Sequence, residues 1–84
     1  MANAPQAIFV LFSIHHVLRG EKALKKAGLE FDLIPVPKEI NPDCGMAIET
    51  AEEKADQARQ ALLQAGLKIE AVYRREGKNF SLIN

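Results

Sequence analysis

Cys44 is the one cysteine among 84 residues, and it sits in Pro35-Val36-Pro37-Lys38-Glu39-Ile40-Asn41-Pro42-Asp43-Cys44-Gly45. Prolines and a glycine surround it, so regular structure should break there. A lone thiol on a turn is a poor packing choice and a good reactive one. The thiolate is the nucleophile, and an unperturbed thiol is only about 3% ionised at neutral pH. Lowering its pKa to about 7 would make roughly half of it thiolate. Lys38 favours that ionisation, whereas Asp43 and Glu39 oppose it. Gly45 leaves room for a partner's backbone or a persulfide to approach. The competing reading is a small buried hydrophobe, since free cysteine is often fully buried.

His15 and His16 are the other residues suited to chemistry. Adjacent helical side chains splay by about 100°, so the two cannot easily share one metal ion. A zinc site from Cys44, one histidine and Asp43 has no supporting ligand spacing, so neither a metal nor a cofactor is expected. A histidine beside the thiol would instead tune it or shuttle protons, with His16 ahead of His15 in that role. The plainer role is a partly exposed residue at a helix start. Glu21 could orient a histidine, but an i,i+4 pair with Lys25 is the simpler expectation. Arg74 and Arg75 are read as solvated cations beside Glu76 rather than an anion site. No glycine-rich phosphate loop is present, and no Ser-His-Asp arrangement can be argued.

Those residues need a scaffold, and the chain supplies one. The run Ala7–Phe12 is continuously apolar and rich in β-branched and aromatic types, as in a strand buried on both faces. Ser13 then caps a helix reaching about Ala27, with Gly28 as its stop. Ile14, Val17, Leu18, Leu24 and Ala27 form its apolar stripe, although Gly20 weakens the helix. Glu30–Val36 reads as a second strand, placed at an edge by Pro35 and Pro37. Thr50-Ala51-Glu52-Glu53 matches a capping box, which divides the next stretch into a strand, Gly45–Glu49, and a helix, Ala51–Ala65, ended by Gly66. Leu67–Arg75 is a fourth strand, Glu76-Gly77-Lys78-Asn79 a turn, and Phe80, Leu82 and Ile83 a short extra strand.

The order strand-helix-strand-strand-helix-strand, with the echo Ala27-Gly28-Leu29 and Ala65-Gly66-Leu67, points to an α+β ferredoxin-like βαββαβ sandwich. Two helices should cover one face of an antiparallel four-stranded sheet. Residues 1–6 are expected as a flexible N-terminus, 7–76 as the single domain and 77–84 as a tail or edge strand. In this topology the loop between the second and third strands shares one end of the domain with the first helix's N-terminus. Cys44 and Ser13-Ile14-His15-His16 should therefore meet at that pole. The helix end, carrying about half a positive charge, would favour thiolate there.

Composition narrows the partners. Eleven basic and eleven acidic residues balance to zero net charge and are mixed along the chain. No basic stripe recommends nucleic acid as a ligand. The longest apolar run is far too short to span a membrane. The first residues lack the charge and length of a secretion signal. A single cysteine suits a reducing compartment. A cytoplasmic protein is expected, without nucleic acid or membrane partners.

The pieces Phe12-Ser13, His15-His16, Glu21-Lys22, Ile34-Pro35-Val36-Pro37-Lys38-Glu39-Ile40 and Asp43-Cys44-Gly45 together resemble the selenium/sulfur (Se/S) carrier protein-like family. The resemblance spans residues 7–75, and Pro-x-Pro-basic-Glu-Ile followed by Cys-Gly is its most specific part. Family members often carry serines before the Cys-Gly, whereas Asn41-Pro42-Asp43 stand here and put an acid beside the thiol. The resemblance implies a carrier or accessory protein rather than a turnover enzyme. Cys44 would hold a persulfide or selenopersulfide passed between donor and acceptor proteins in sulfur transfer or selenium metabolism. His16 and His15 would assist, with Gly45, Ser13 and Lys38 forming the surroundings. The alternative is a non-catalytic protein-interaction or small-ligand module. Domains of this fold often dimerise through the sheet or an edge strand, so a homodimer belongs among the expected assemblies.

Overall fold

The chain's most apolar run becomes its central strand, β1 (Gln6–Leu11), in which every residue after Gln6 is buried. The computed structural model describes residues 4–36 and 45–83. After β1 come α1 (Ile14–Lys26), β2 (Asp32–Pro35), β3 (Met46–Ala51), a 3₁₀ turn (Glu52–Lys54), α2 (Ala55–Gln64), β4 (Ile69–Glu76) and β5 (Asn79–Leu82). The five strands form one sheet in the order β2-β3-β1-β4-β5. Every neighbouring pair is antiparallel. This is the ferredoxin-like α+β sandwich, with β5 added beyond β4 as the expected extra strand.

Strand alternation divides β1 between two clusters. Ala7, Phe9 and Leu11 point toward the helices and pack with Val17, Leu24, Ile48, Ala58, Leu62 and Val72. Ile8 and Val10 lie on the other face with Val36 and Ala47, flanked by half-buried Ile34, Ala71, Tyr73 and Phe80. Phe9, Ile8, Leu24, Ile48 and Leu62 are fully buried. Each such side chain stabilises the fold by about 1.5–3 kcal/mol relative to exposure. A continuous apolar strand is what a position buried on both faces requires.

Both helices stop in the same way, which explains the repeated Ala-Gly-Leu. Gly28 (φ 77°) and Gly66 (φ 81°) adopt left-handed backbone that a side chain would strain. Gly28 N–H then donates to Lys25 O and Leu29 N–H to Leu24 O; Gly66 donates to Leu63 O and Leu67 to Leu62 O. These are the paired bonds of the Schellman motif, which satisfy carbonyls at the helix end. Gly20 has a different purpose. A Cβ there would stand 2.9 Å from Ile48 Cδ1 and 2.9 Å from Leu62 Cδ2, so glycine lets α1 lie close to β3 and α2.

Three expectations need correction. Thr50 is not a helix cap: it lies in β3 opposite Ala7, and Ala51 continues the ladder opposite Gln6. Glu52 N–H goes to Pro5 O, 3.1 Å away. Pairing with β1 outcompetes the local capping box, and α2 starts only after the 3₁₀ turn. Thr50 is 2% exposed, and its Oγ1 has no hydrogen-bond partner among the described residues. Ile14, Leu18 and Ala27 do not belong to the buried stripe, which runs through Val17, Gly20 and Leu24. Leu18 is turned about 100° from Val17. Arg74 and Arg75 are half-buried and engaged rather than simply solvated: Arg74 bonds Glu52 at 2.6 Å and Glu76 at 3.1 Å, and Arg75 pairs with Glu49.

Candidate functional site

The sheet's direction brings Ser13, His15, His16 and Gly45 to one end of the domain. β1 leads upward into Phe12-Ser13 and the start of α1. β2 runs parallel to β1 through their shared neighbour β3, so β2 also ends at the upper pole. Val36 N–H donates to Gly45 O at 2.9 Å, closing the ladder there. Val10 lies opposite Ala47, two residues after Gly45. Val36 and Gly45 thus stand at the same pole as Ser13, His15 and His16. Lys38 and Cys44 lie outside the described residues.

Ser13 begins α1 as expected of a cap. Its backbone is extended (φ −155°, ψ 167°), and its Oγ accepts from His16 N–H at 3.3 Å. The same Oγ lies 2.8 Å from His16 Nδ1. When the hydroxyl donates to Nδ1, the ring proton of a neutral His16 sits on Nε2. His16 is half-buried, and its ring meets Phe12 edge-on with centroids 6.4 Å apart. His15, one residue earlier, is exposed and takes no part in this arrangement. The two histidines therefore have different surroundings, as their helical splay requires. The first turn of α1 contains no acidic residue, so its partial positive charge is not offset locally.

Gly45 is exposed, and a Cβ placed on it would meet nothing within 4 Å among the described residues. Glu21 pairs with Lys25 at 3.2 Å and is not an orienting group for either histidine. Among the described residues no group of three or more histidines, cysteines or acids could hold a metal ion. No helix there is long and apolar enough to cross a membrane.

The structure adds residues that the sequence did not single out. Phe12, Ile14 and Leu18 are 56%, 50% and 47% exposed, giving the start of α1 an apolar surface beside the Ser13–His16 pair. The helical spacing of Ile14 and Leu18 suggested burial, as did the place of Phe12 in an apolar strand run. The missed signal was the small residue Gly20, which marks the true line of closest approach to the sheet. Glu49 was also missed. It is 8% exposed on the helix-free face, where it pairs with Arg75. The Arg74 guanidinium is held above its ordinary pKa by hydrogen bonds to Glu52 and then Glu76.

Comparison with known proteins agrees with this architecture. The family model described as "Putative Se/S carrier protein-like" matches residues 6–74. A protein of Aquifex aeolicus (strain VF5) named "Putative sulfur carrier protein" is 39% identical over 79 residues, covering 89% of this chain. The chain spans 40% of that relative's length. The match reaches from the first residue of β1 into β4 and takes in the whole βαββαβ unit but its last turn of strand. The chain belongs to the Se/S carrier protein-like family.

Proposed function

We propose that this domain carries activated sulfur or selenium as a persulfide or selenopersulfide on Cys44. Family membership is the observation that carries the reading. The pole geometry supports it: Val36 and Gly45, which flank residues 37–44 in the chain, lie at the same pole as the α1 N-terminus, whose first turn has no acid, and the hydrogen-bonded Ser13–His16 pair.

The transfer needs no external oxidant. The Cys44 thiolate attacks the outer sulfur of a donor persulfide, RS–SH. The donor's sulfur–sulfur bond breaks as the new bond to Cys44 forms, and the electron pair leaves with RS⁻. The proton stays on the transferred sulfur, giving Cys44–S–SH. Delivery to an acceptor thiolate repeats the step in reverse roles. The α1 N-terminus favours the attacking thiolate electrostatically, and His16 exchanges protons with the incoming or departing thiol. Exposed Phe12, Ile14 and Leu18 give donor and acceptor proteins an apolar surface next to the reaction.

Mass spectrometry of protein purified without reductant tests the proposal. The Cys44 peptide is expected to carry an added sulfur or selenium atom, removed by dithiothreitol and absent in Cys44→Ser. Rapid alkylation of Cys44 in the folded protein is expected alongside it. A thiol that resists alkylation until the protein is unfolded overturns the reading.

A further inference from the structure

The two edges of the sheet are built differently. β2 is four residues long, carries the charge of Asp32 and includes Pro35, which has no N–H to offer another strand. Short length, charge and proline are devices that blunt an edge. β5 is equally short, at four residues, but has neither the charge nor the proline. Residues 79–83 read Asn-Phe-Ser-Leu-Ile, without charge or proline. Leu82 and Ile83 are 62% and 46% exposed.

The β4–β5 hairpin determines which backbone groups remain free. Glu76 and Asn79 pair across the Gly77-Lys78 turn, and Arg74 pairs with Ser81. Ile83 N–H donates to Val72 O at 2.9 Å. Hydrogen-bonded pairs alternate along an antiparallel ladder, so Asn79, Ser81 and Ile83 bond inward to β4. Phe80 and Leu82 consequently turn their N–H and C=O groups outward, along the open edge.

We propose that β5 pairs antiparallel with β5 of a second copy of this chain, about a twofold axis at Ser81, joining two sheets into one. In that register Phe80 stands opposite Leu82 of the partner subunit, and each exchanges its outward N–H and C=O groups with the other. Ser81 meets Ser81 of the partner subunit in the intervening non-hydrogen-bonded pair. Phe80 and Leu82 lie on the helix-free face with Tyr73, which is opposite Leu82 in the ladder. Pairing therefore joins the apolar strips of two copies and places an aromatic against an aliphatic side chain on each side of the axis. A second copy suits this edge better than a foreign strand because the segment is complementary to itself. The same two residues supply donors, acceptors and apolar contact on both sides, and no charge repels an identical strand.

Sedimentation of the intact chain tests the proposal over about 5–500 µM, since association is concentration-dependent. The average mass is expected to rise from that of one chain toward twice that value. Leu82→Pro removes an outward N–H that β4 does not use, and Leu82→Lys sets a charge against the partner subunit's Phe80 on each side of the axis. Both are expected to stay monomeric while melting like the parent. In a Cys44→Ser background, Ser81→Cys is expected to form an interchain disulfide under mild oxidation, and Lys78→Cys is not. A parent protein that remains monomeric throughout overturns the proposal. So does a dimer that survives Leu82→Pro, which would assign association to the sheet face, or a dimer in which Ser81→Cys fails to cross-link. The transfer chemistry at Cys44 is read separately by mass and is unaffected by either result.

Discussion

At the scale of single residues, Ser13 has two roles that can be separated. Its Oγ caps α1 through His16 N–H and also bonds His16 Nδ1. Ser13→Ala removes both, and loss of such a cap costs about 1 kcal/mol. For a domain of this size that lowers the melting temperature by about 4–8 °C. Ser13→Asp retains a capping oxygen and should recover most of that loss in a thermal melt. Near a thiolate, however, its added negative charge should slow alkylation of Cys44. If Ser13→Asp melts with Ser13→Ala, the cap is not what stabilises the helix start. The residue-level chemistry was legible in part. Ser13 as cap and the separation of His15 from His16 followed from hydrogen-bonding capacity and helix geometry. The Ser13–His16 side-chain bond did not, because it depends on the rotamers of both residues.

At the scale of elements, competition between local and tertiary bonds decides where β3 ends and α2 begins. Thr50 had every local feature of a cap, yet the ladder to β1 holds it in the strand. Its buried hydroxyl has no hydrogen-bond partner among the described residues. Burying an unpaired hydroxyl costs about 1–3 kcal/mol, so Thr50→Val should raise stability by about 1 kcal/mol in urea titration. A loss of stability would show that the hydroxyl is satisfied in solution. Gly20 makes the opposite point about α1. Gly20→Ala gains about 1 kcal/mol of helix propensity while pressing on Ile48 and Leu62, so the two effects nearly cancel. Gly20→Val adds two further carbons to a fully occupied space and should cost about 1–3 kcal/mol. Equal melting of the valine variant and the parent would disprove the close approach of α1. In the sequence this glycine looked like a flaw in the helix. Only the distances to neighbouring methyl groups reveal it as the contact point.

Across the whole molecule, the helix-free face grades from apolar to charged. Ile8, Val10, Ala47, Ile34 and Tyr73 occupy its upper and central parts. Lower down, Asp32 stands directly opposite Glu49, and Arg75 reaches Glu49 across β1 from β4. Arg75 thereby offsets two neighbouring acids on different strands. Arg75→Gln should cost about 1–3 kcal/mol because it leaves a nearly buried carboxylate facing another acid. Glu49→Gln should cost under about 1 kcal/mol, since it relieves the like-charge pair as it breaks the ion pair. Chemical denaturation distinguishes the two, and equal losses would mean that Asp32 does not contribute. Partial exposure of Arg75 places both figures at the modest end expected for ion pairs.

The amino-acid sequence alone determined the order of elements, the doubly buried central strand, the two Schellman stops and the ferredoxin-like class. Each rests on local backbone preference or on hydrophobic period, and both are written residue by residue. Tertiary structure decided the extension of β3 through Thr50, the exposure of Ile14 and Leu18, the Glu49–Arg75 pairing and the outward groups of β5. Those outcomes depend on register and interhelical distance. They arise only when segments far apart in the chain compete for the same hydrogen bonds and the same space.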